Sequence, residues 1–334
     1  MTARWALAVG AGVLVLCPAR AQDAQFTQFY AAPTYLSPAF AGTSSQSRFS
    51  TLFRDQWSAI PGAFITYTAS FDHYLSEYNS GLGLIMMHDR AGSGALRYTS
   101  ATFQYAYEFE LKRKVFLRPA LQLGMVSHAV DYSRLVFGDQ LARGGDVASY
   151  EHMEGKSVTY GDAGAGLLFF TPKVWLGVAM HHLNEPDQSL LDSEARVPMK
   201  FSAHGGYRYR IRTPVIRKKQ QSIVGAFNYR AQGRFDQLDL GVYYEQEPVF
   251  AGLWYRGLPL IKAYEPGYQN NDMVAVLLGV IVNDWRIGYS YDLTVSRLAA
   301  HTGGAHEISL TYEFADRRTR RAMYKRRIVP CAKF

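Results

Sequence analysis

Residues 284–298, "DWRIGYSYDLTVSRL", alternate strictly at their core. Trp285, Ile287, Tyr289 and Tyr291 take one parity; Arg286, Gly288, Ser290 and Asp292 take the other. A strand sends successive side chains to opposite faces. One face is therefore aromatic and apolar, the other charged and small. The fold turns on where the aromatic face looks: onto a core, or onto lipid.

The same alternation recurs. In 97–111, Phe103, Tyr105, Tyr107 and Phe109 oppose Ser100, Thr102, Gln104, Glu108 and Glu110. In 306–314, Ile308, Leu310, Tyr312 and Phe314 oppose Glu307, Ser309, Thr311 and Glu313. In 63–72, Ile65, Tyr67, Ala69 and Phe71 oppose Thr66, Thr68, Ser70 and Asp72. Further strands are predicted near 47–57, 80–89, 115–131, 158–170, 173–182, 199–212, 221–230, 234–246, 249–257 and 273–283. That makes about fourteen strands, with no helix expected beyond the N-terminal leader. Ten-residue alternating segments separated by turns are the pattern of a transmembrane barrel. After residue 22 no apolar run reaches the roughly 18 residues of a spanning helix; the longest is "MVAVLLGVIV", Met273 to Val282.

The connections separate lipid from core. Numbered in order, the even ones are mostly short: "LKRK", "TPK", "QEP" and Asn283-Asp284, with "TPVIRKKQQ" the longer exception. Several odd ones are long: 132–157, 183–198, 258–272 and 293–304. A β-sandwich or lipocalin-like barrel in water has no reason to sort loop length by parity. An outer-membrane barrel has short periplasmic turns and longer external loops. Trp285, Tyr289 and Tyr291 are therefore expected to face lipid, and Arg286, Ser290 and Asp292 the lumen. Closure of the sheet removes edges that lipid would not tolerate. The expected fold is an all-β transmembrane antiparallel barrel of about fourteen strands.

Four segments follow. Residues 1–21 fit a cleaved signal peptide: Arg4, then "WALAVGAGVLVL", then Ala19-Arg20-Ala21 before Gln22. Cys17 would suit a lipoprotein, but Leu16 is too bulky before it. Cleavage after Ala21 leaves Cys331 alone, so no internal disulfide and no cysteine metal site are expected. Residues 22–46 form a periplasmic or plug-like segment, 47–314 the barrel, and 315–334 a basic periplasmic tail. The stretch Gln22 to Gly42 carries Pro33, Pro38 and no charge beyond Asp23. Proline interrupts sheet pairing. So apolar a segment should fold into the lumen or line its mouth; a disordered leader is the third course.

The formal net charge is +8, but it is unevenly spread. The leader holds Arg4 and Arg20, and 315–334 holds eight Lys or Arg against Asp316; removing both leaves the body near −1. The body lacks the basic face that nucleic acid needs. Tail residues Arg317, Arg318, Arg320, Arg321, Lys325, Arg326 and Arg327 are candidates for docking an acidic periplasmic partner. Binding lipid phosphates or plain solvation are the other fates of such a run.

No catalytic residue is assigned, and no cofactor or metal is expected. "GDAGAG" (161–166) sits in a strand with no following helix to hold a phosphate. "HHLNE" (181–185) has two His but no third ligand by spacing, and "HEISL" (306–310) lacks a second His four residues on. The lumen charges Arg54, Asp72, Arg286, Asp292 and Glu307 lie on the first two and last two strands, neighbours once the barrel closes. Isolated charges in a narrow lumen are costly, so pairing is expected. They form either a structural seam network or a docking site for a plug or partner segment.

Six stretches together resemble the PorP/SprF family of type IX secretion and gliding in Bacteroidota. They are "FTQFYAAPTYLSPAFAG" (26–42), "RDQWSAIPGAFITYTASFD" (54–72), "GLGLIMMHDRAG" (81–92), "YGDAGAGLLFF" (160–170), "GYSYDLTVSRL" (288–298) and "HEISLTYEF" (306–314). They keep the family's order over nearly the whole mature chain. Ser37 departs from the usual Asn before Pro, and Ala305 from the usual Ser before His-Glu. The resemblance implies an outer-membrane barrel, not an enzyme, that works with type IX components. It would assist secretion or hold a secreted surface adhesin at the cell surface. The alternatives are a passive channel for small solutes and, less in keeping with the residues, a hydrolase at the barrel rim.

Overall fold

The computed structural model describes residues 23–44, 47–60, 62, 64–92, 96–145, 149–150, 156–190, 194–212, 221–258, 263–265, 268–295, 302–314 and 329–330. The leader and Arg317 to Arg327 lie outside them.

Fourteen antiparallel strands close into a barrel. They are β1 (Arg48–Gln56), β2 (Phe64–Leu75), β3 (Ser80–Ala91), β4 (Leu96–Tyr107), β5 (Val115–Val130), β6 (Lys156–Phe170) and β7 (Val174–His181). Then come β8 (Lys200–Arg212), β9 (Gln221–Gln232), β10 (Phe235–Gln246), β11 (Val249–Gly257), β12 (Asn271–Val282), β13 (Trp285–Thr294) and β14 (Ala305–Glu313). A break at Glu108 separates β4 from its continuation Phe109–Lys112. There the Glu108 N–H donates to the Asn79 carbonyl instead of the ladder. Each strand pairs with its neighbours in sequence, and β1 pairs with β14 over nine residues to complete the ring. A small hairpin, Ala263–Glu265 with Tyr268–Gln269, stands in the connection after β11.

Parity is kept around the ring. Leu121, Leu123 and Met125 point outward and are more than 60% exposed. Trp285, Ile287 and Tyr289 are exposed too, while Gly288, Ser290 and Asp292 are buried inward. In an isolated chain such a band of exposed apolar side chains has one stable environment, the hydrocarbon of a bilayer. Among the described residues no helix is long and apolar enough to cross a membrane.

We call the end holding Ser47 and Phe314 the base, where the Phe314 N–H donates to the Ser47 carbonyl, and the other end the top. The strands flanking 132–157, 183–198, 258–272 and 293–304 meet those connections at the top. Two one-turn helices depart from the expectation of no helix. Pro33–Leu36 lies in the N-terminal segment, and Gly138–Ala142 in the connection after β5. Neither has the length for periodicity to be visible; Pro33 at the first turn supplies a fixed φ where no N–H partner is needed.

Residues 23–44 occupy the lumen. They begin near the top, where Asp23 meets Lys200 and His182, and descend to Gly42 beside Asp72 near the base. Phe26, Phe29, Tyr30, Ala39, Phe40 and Ala41 are all at most 3% exposed. Phe29 packs edge-on against Trp254 (4.8 Å between centroids) and Tyr30 against Trp175 (5.8 Å). Glycines make the room: a Cβ on Gly241 would stand 2.2 Å from the Trp254 ring, and one on Gly206 2.4 Å from Trp175. Burying a Phe or comparable side chain contributes about 1.5–3 kcal/mol, so this aromatic core holds the plug firmly.

Candidate functional site

The inner wall and the plug share their polar groups. Arg54 and Glu307 are Cα partners across the closing pair β1–β14, and Arg54 Nη1 lies 2.9 Å from Glu307 Oε2 and 2.8 Å from Asp292 Oδ2. The plug completes the cluster. The N–H groups of Thr27 and Gln28 donate to Glu307 (2.9 and 2.6 Å), and the Thr27 hydroxyl donates to Asp292 (2.8 Å). All three charged groups are nearly inaccessible. A buried carboxylate is tolerated only with such donors.

The other two charges singled out from sequence stand apart from this trio. Asp72 accepts from Arg48 Nε (2.8 Å) and from the Gly42 N–H (2.9 Å), where the plug leaves the lumen. Gly42 has φ +68°, and a Cβ there would stand 2.6 Å from the Gly81 Cα; the exit requires glycine. Arg286 pairs with Glu313 near the base (2.8 Å). The five charges thus form three clusters, two of which grip the plug.

Further groups complete the grip. Arg118 pairs with Glu108 (2.7 Å) and donates to the Ala39 and Ala41 carbonyls of the plug. Gln104 donates to the Thr34 carbonyl (2.8 Å). Arg48 and Arg118 carry the inward parity of their strands, so alternation alone could have flagged them.

At the top, Asp23 binds Lys200 and accepts from His182 Nε2 (3.0 Å), whose Nδ1 faces Asp162 (2.9 Å). Burial works against a charged His182, but Asp23 and Asp162 outweigh it and lift His182 to about 9. Burial likewise opposes ionisation of Asp23, yet Lys200 and His182 hold its carboxyl well below the usual carboxylate range. His181 meets Gln122 (2.9 Å). His182 is thus engaged at both ring nitrogens, whereas His181 Nε2 is buried without a hydrogen-bond partner, and among the described residues no three His, Cys, Asp or Glu are placed to hold a metal ion. No local sequence signal links Asp23 to Lys200, 177 positions away.

At the base, Val329 and Pro330 return to the barrel. Val329 is 3% exposed, and the Pro330 carbonyl accepts from Arg208 Nε (3.0 Å), whose guanidinium also pairs with Glu245.

Between the plug and the top lies a cavity of about 570 Å³. Its floor is Asp23, Ala24, Gln25, Thr34 and Tyr35; its walls include Trp57, Phe64, Asp89, Tyr98, Tyr160 and Asp272.

A ring of fourteen strands with an apolar belt and a lumen filled by its own N-terminal segment defines a plugged membrane β-barrel. The chain belongs to the PorP/SprF family of type IX secretion system membrane proteins, whose model matches residues 19–312. None of the curated proteins matches it significantly. Among solved structures it is similar to the P. putida toluene transporter TodX, at 10% identity and a TM-score of 0.45, with 84% of this chain and 93% of that one covered. It is also similar to a mutant Rh. blastica porin (8%, TM-score 0.36, 80% and 99% covered) and to KdgM porin (7%, 0.37, 80% and 99%). Likeness at that level says nothing about what this barrel handles.

Proposed function

We propose that this chain is a non-enzymatic outer-membrane component of type IX secretion that assists export or surface retention of partner proteins through protein contacts. The observation that carries the reading is the filled lumen. Residues 23–44 run through it from near the top to the base, and side chains from at least ten strands hold them. A passive channel for small solutes would need an aqueous path there, as wider barrels provide. Family membership supplies the secretion context. The exposed aromatic and aliphatic belt supports residence in a bilayer.

The basic tail, with Arg317, Arg318, Arg320, Arg321, Lys325, Arg326 and Arg327, is the docking element for an acidic periplasmic partner in this reading. Val329 and Pro330, just beyond the run in sequence, lie against the base. Arg54, Asp292 and Glu307 serve the plug, not a free partner.

Deleting the gene in its own host and measuring two outputs tests the proposal. Specific secreted proteins should fail to reach or stay on the surface, while permeability to small solutes stays unchanged. Loss of solute uptake with intact surface proteins would reverse the reading.

A further inference from the structure

The cavity above the plug has a charge imbalance that the barrel itself does not need. Five cations lie in its walls or just beneath: Arg54, His182, Lys200, Arg230 and Arg256. Each is held by a carboxylate. Arg54 has Asp292 and Glu307; His182 has Asp23 and Asp162; Lys200 has Asp23; Arg230 and Arg256 share Asp239. Two carboxylates on the cavity wall are left over, Asp89 on β3 and Asp272 on β12. Asp89 accepts only from the Thr66 hydroxyl (2.5 Å), and Asp272 from the Gln237 side chain (2.9 Å). Neither has a cation within salt-bridge distance among the described residues.

The two carboxylates face a mixed lining. Trp57, Phe64, Met87, Tyr98 and Tyr160 line the same cavity, beside polar side chains such as Thr66, Ser100 and Gln122. Aromatic faces beside carboxylates suit a cation with an apolar stem.

We propose that this cavity binds a basic polypeptide segment, with two cationic side chains separated by apolar ones, presented by a partner at the top of the barrel. The volume is in the range of pockets that enclose a drug-sized ligand. The spacing argues for a chain with two separated charges. Going from β3 through β2, β1, β14 and β13 to β12 crosses five strand intervals, or about 24 Å of wall at roughly 4.8 Å per strand. A single amine reaches one carboxylate only. A segment with an apolar middle also fills the aromatic walls between them. The proposal does not depend on whether the barrel serves export or retention, nor on conductance.

The test uses the purified full-length protein in detergent micelles and a fluorescein-labelled peptide, Lys-Leu-Phe-Leu-Phe-Lys, followed by fluorescence anisotropy. Saturable binding is expected. It should weaken at least tenfold in the double variant Asp89→Asn, Asp272→Asn, and several-fold in 0.5 M salt. The counterpart Glu-Leu-Phe-Leu-Phe-Glu should not bind the parent protein but should bind the double variant Asp89→Lys, Asp272→Lys. Heat-modifiability on gels checks that each variant remains a folded barrel; the charge swap keeps the test decisive should the Asn double variant misfold. Equal binding of the basic and acidic peptides, or undiminished binding by the folded Asn double variant, would overturn the proposal. So would unlabelled spermidine competing as strongly as unlabelled peptide, since the site would then recognise charge alone.

Discussion

Arg54 and Glu307 face each other across the strand pair that closes the barrel, 2.9 Å apart, and the same Glu307 accepts two backbone N–H groups of the plug. One ion pair therefore ties ring closure to plug seating. Arg54→Ala strands two buried carboxylates, Asp292 and Glu307. Removing one partner of a buried pair typically costs about 3–5 kcal/mol. Urea titration of the refolded barrel, followed by tryptophan fluorescence, should show a loss of that order. A shift within error would mean that water already carries the charges.

The outer and inner faces should respond oppositely to the same side chain. Leu123 is outward and 68% exposed; Ser100 lines the inner cavity. Leu123→Arg should cost about 2–4 kcal/mol if it sits near the bilayer midplane. Ser100→Arg adds a cation to the wall that carries the unpaired Asp89, which lies two positions along the neighbouring strand from Met87, the partner of Ser100, and should cost little. Folding yields into vesicles, read on heat-modifiability gels, distinguish them. Similar yields for the two would contradict the assignment of faces.

The plug exit is a close backbone contact. A Cβ on Gly81 would stand 2.0 Å from the Ala41 carbonyl oxygen. Backbone cannot swing aside as a side chain can, so Gly81→Val should displace the plug base at a cost of about 1–3 kcal/mol, the usual range for overpacking. Limited proteolysis should then cut within 23–44 in the variant while the parent resists.

The top latch is pH-dependent through two groups with opposite signs. His182 is raised, so its contribution is complete below its ordinary value near 6.5 and is lost as pH rises through about 9. Asp23 is lowered, so its contribution is present above the ordinary carboxylate range and lost only as pH falls through its depressed value. The latch should hold at neutral pH and loosen near pH 10. Hydrogen exchange of 23–30, corrected for intrinsic rates, should rise there relative to pH 7. Asp23→Asn should flatten that rise; an unchanged pH profile in this variant would place the effect elsewhere.

Much of the barrel was legible because a strand's period is two and its outward face met one solvent, lipid. "DWRIGYSYDLTVSRL" carries both facts in eight residues, 285–292. The pairing of Arg54 with Asp292 and Glu307 was foreshadowed by parity plus closure of the first strand on the last. Asp72 and Arg286 were drawn into the same expectation but found nearer cations or anions, Arg48 and Glu313, because strand stagger sets depth and parity does not. The plug's aromatic content marked it as unfit to dangle, while leaving its course open. Its partners were illegible: Asp23 with Lys200, Tyr30 with Trp175 and Arg118 with Ala41 are joined by no period. The unpaired Asp89 and Asp272 emerged only once every other charge had been assigned its partner.

The central claim, a membrane barrel filled by its own N-terminal segment, is tested most directly by planar-bilayer recording of the full-length purified protein. Insertion is verified in the same preparation by heat-modifiability. The expected record is no steady conductance, because residues 23–44 occupy the lumen. A stable, ohmic open pore in the parent protein would contradict the account.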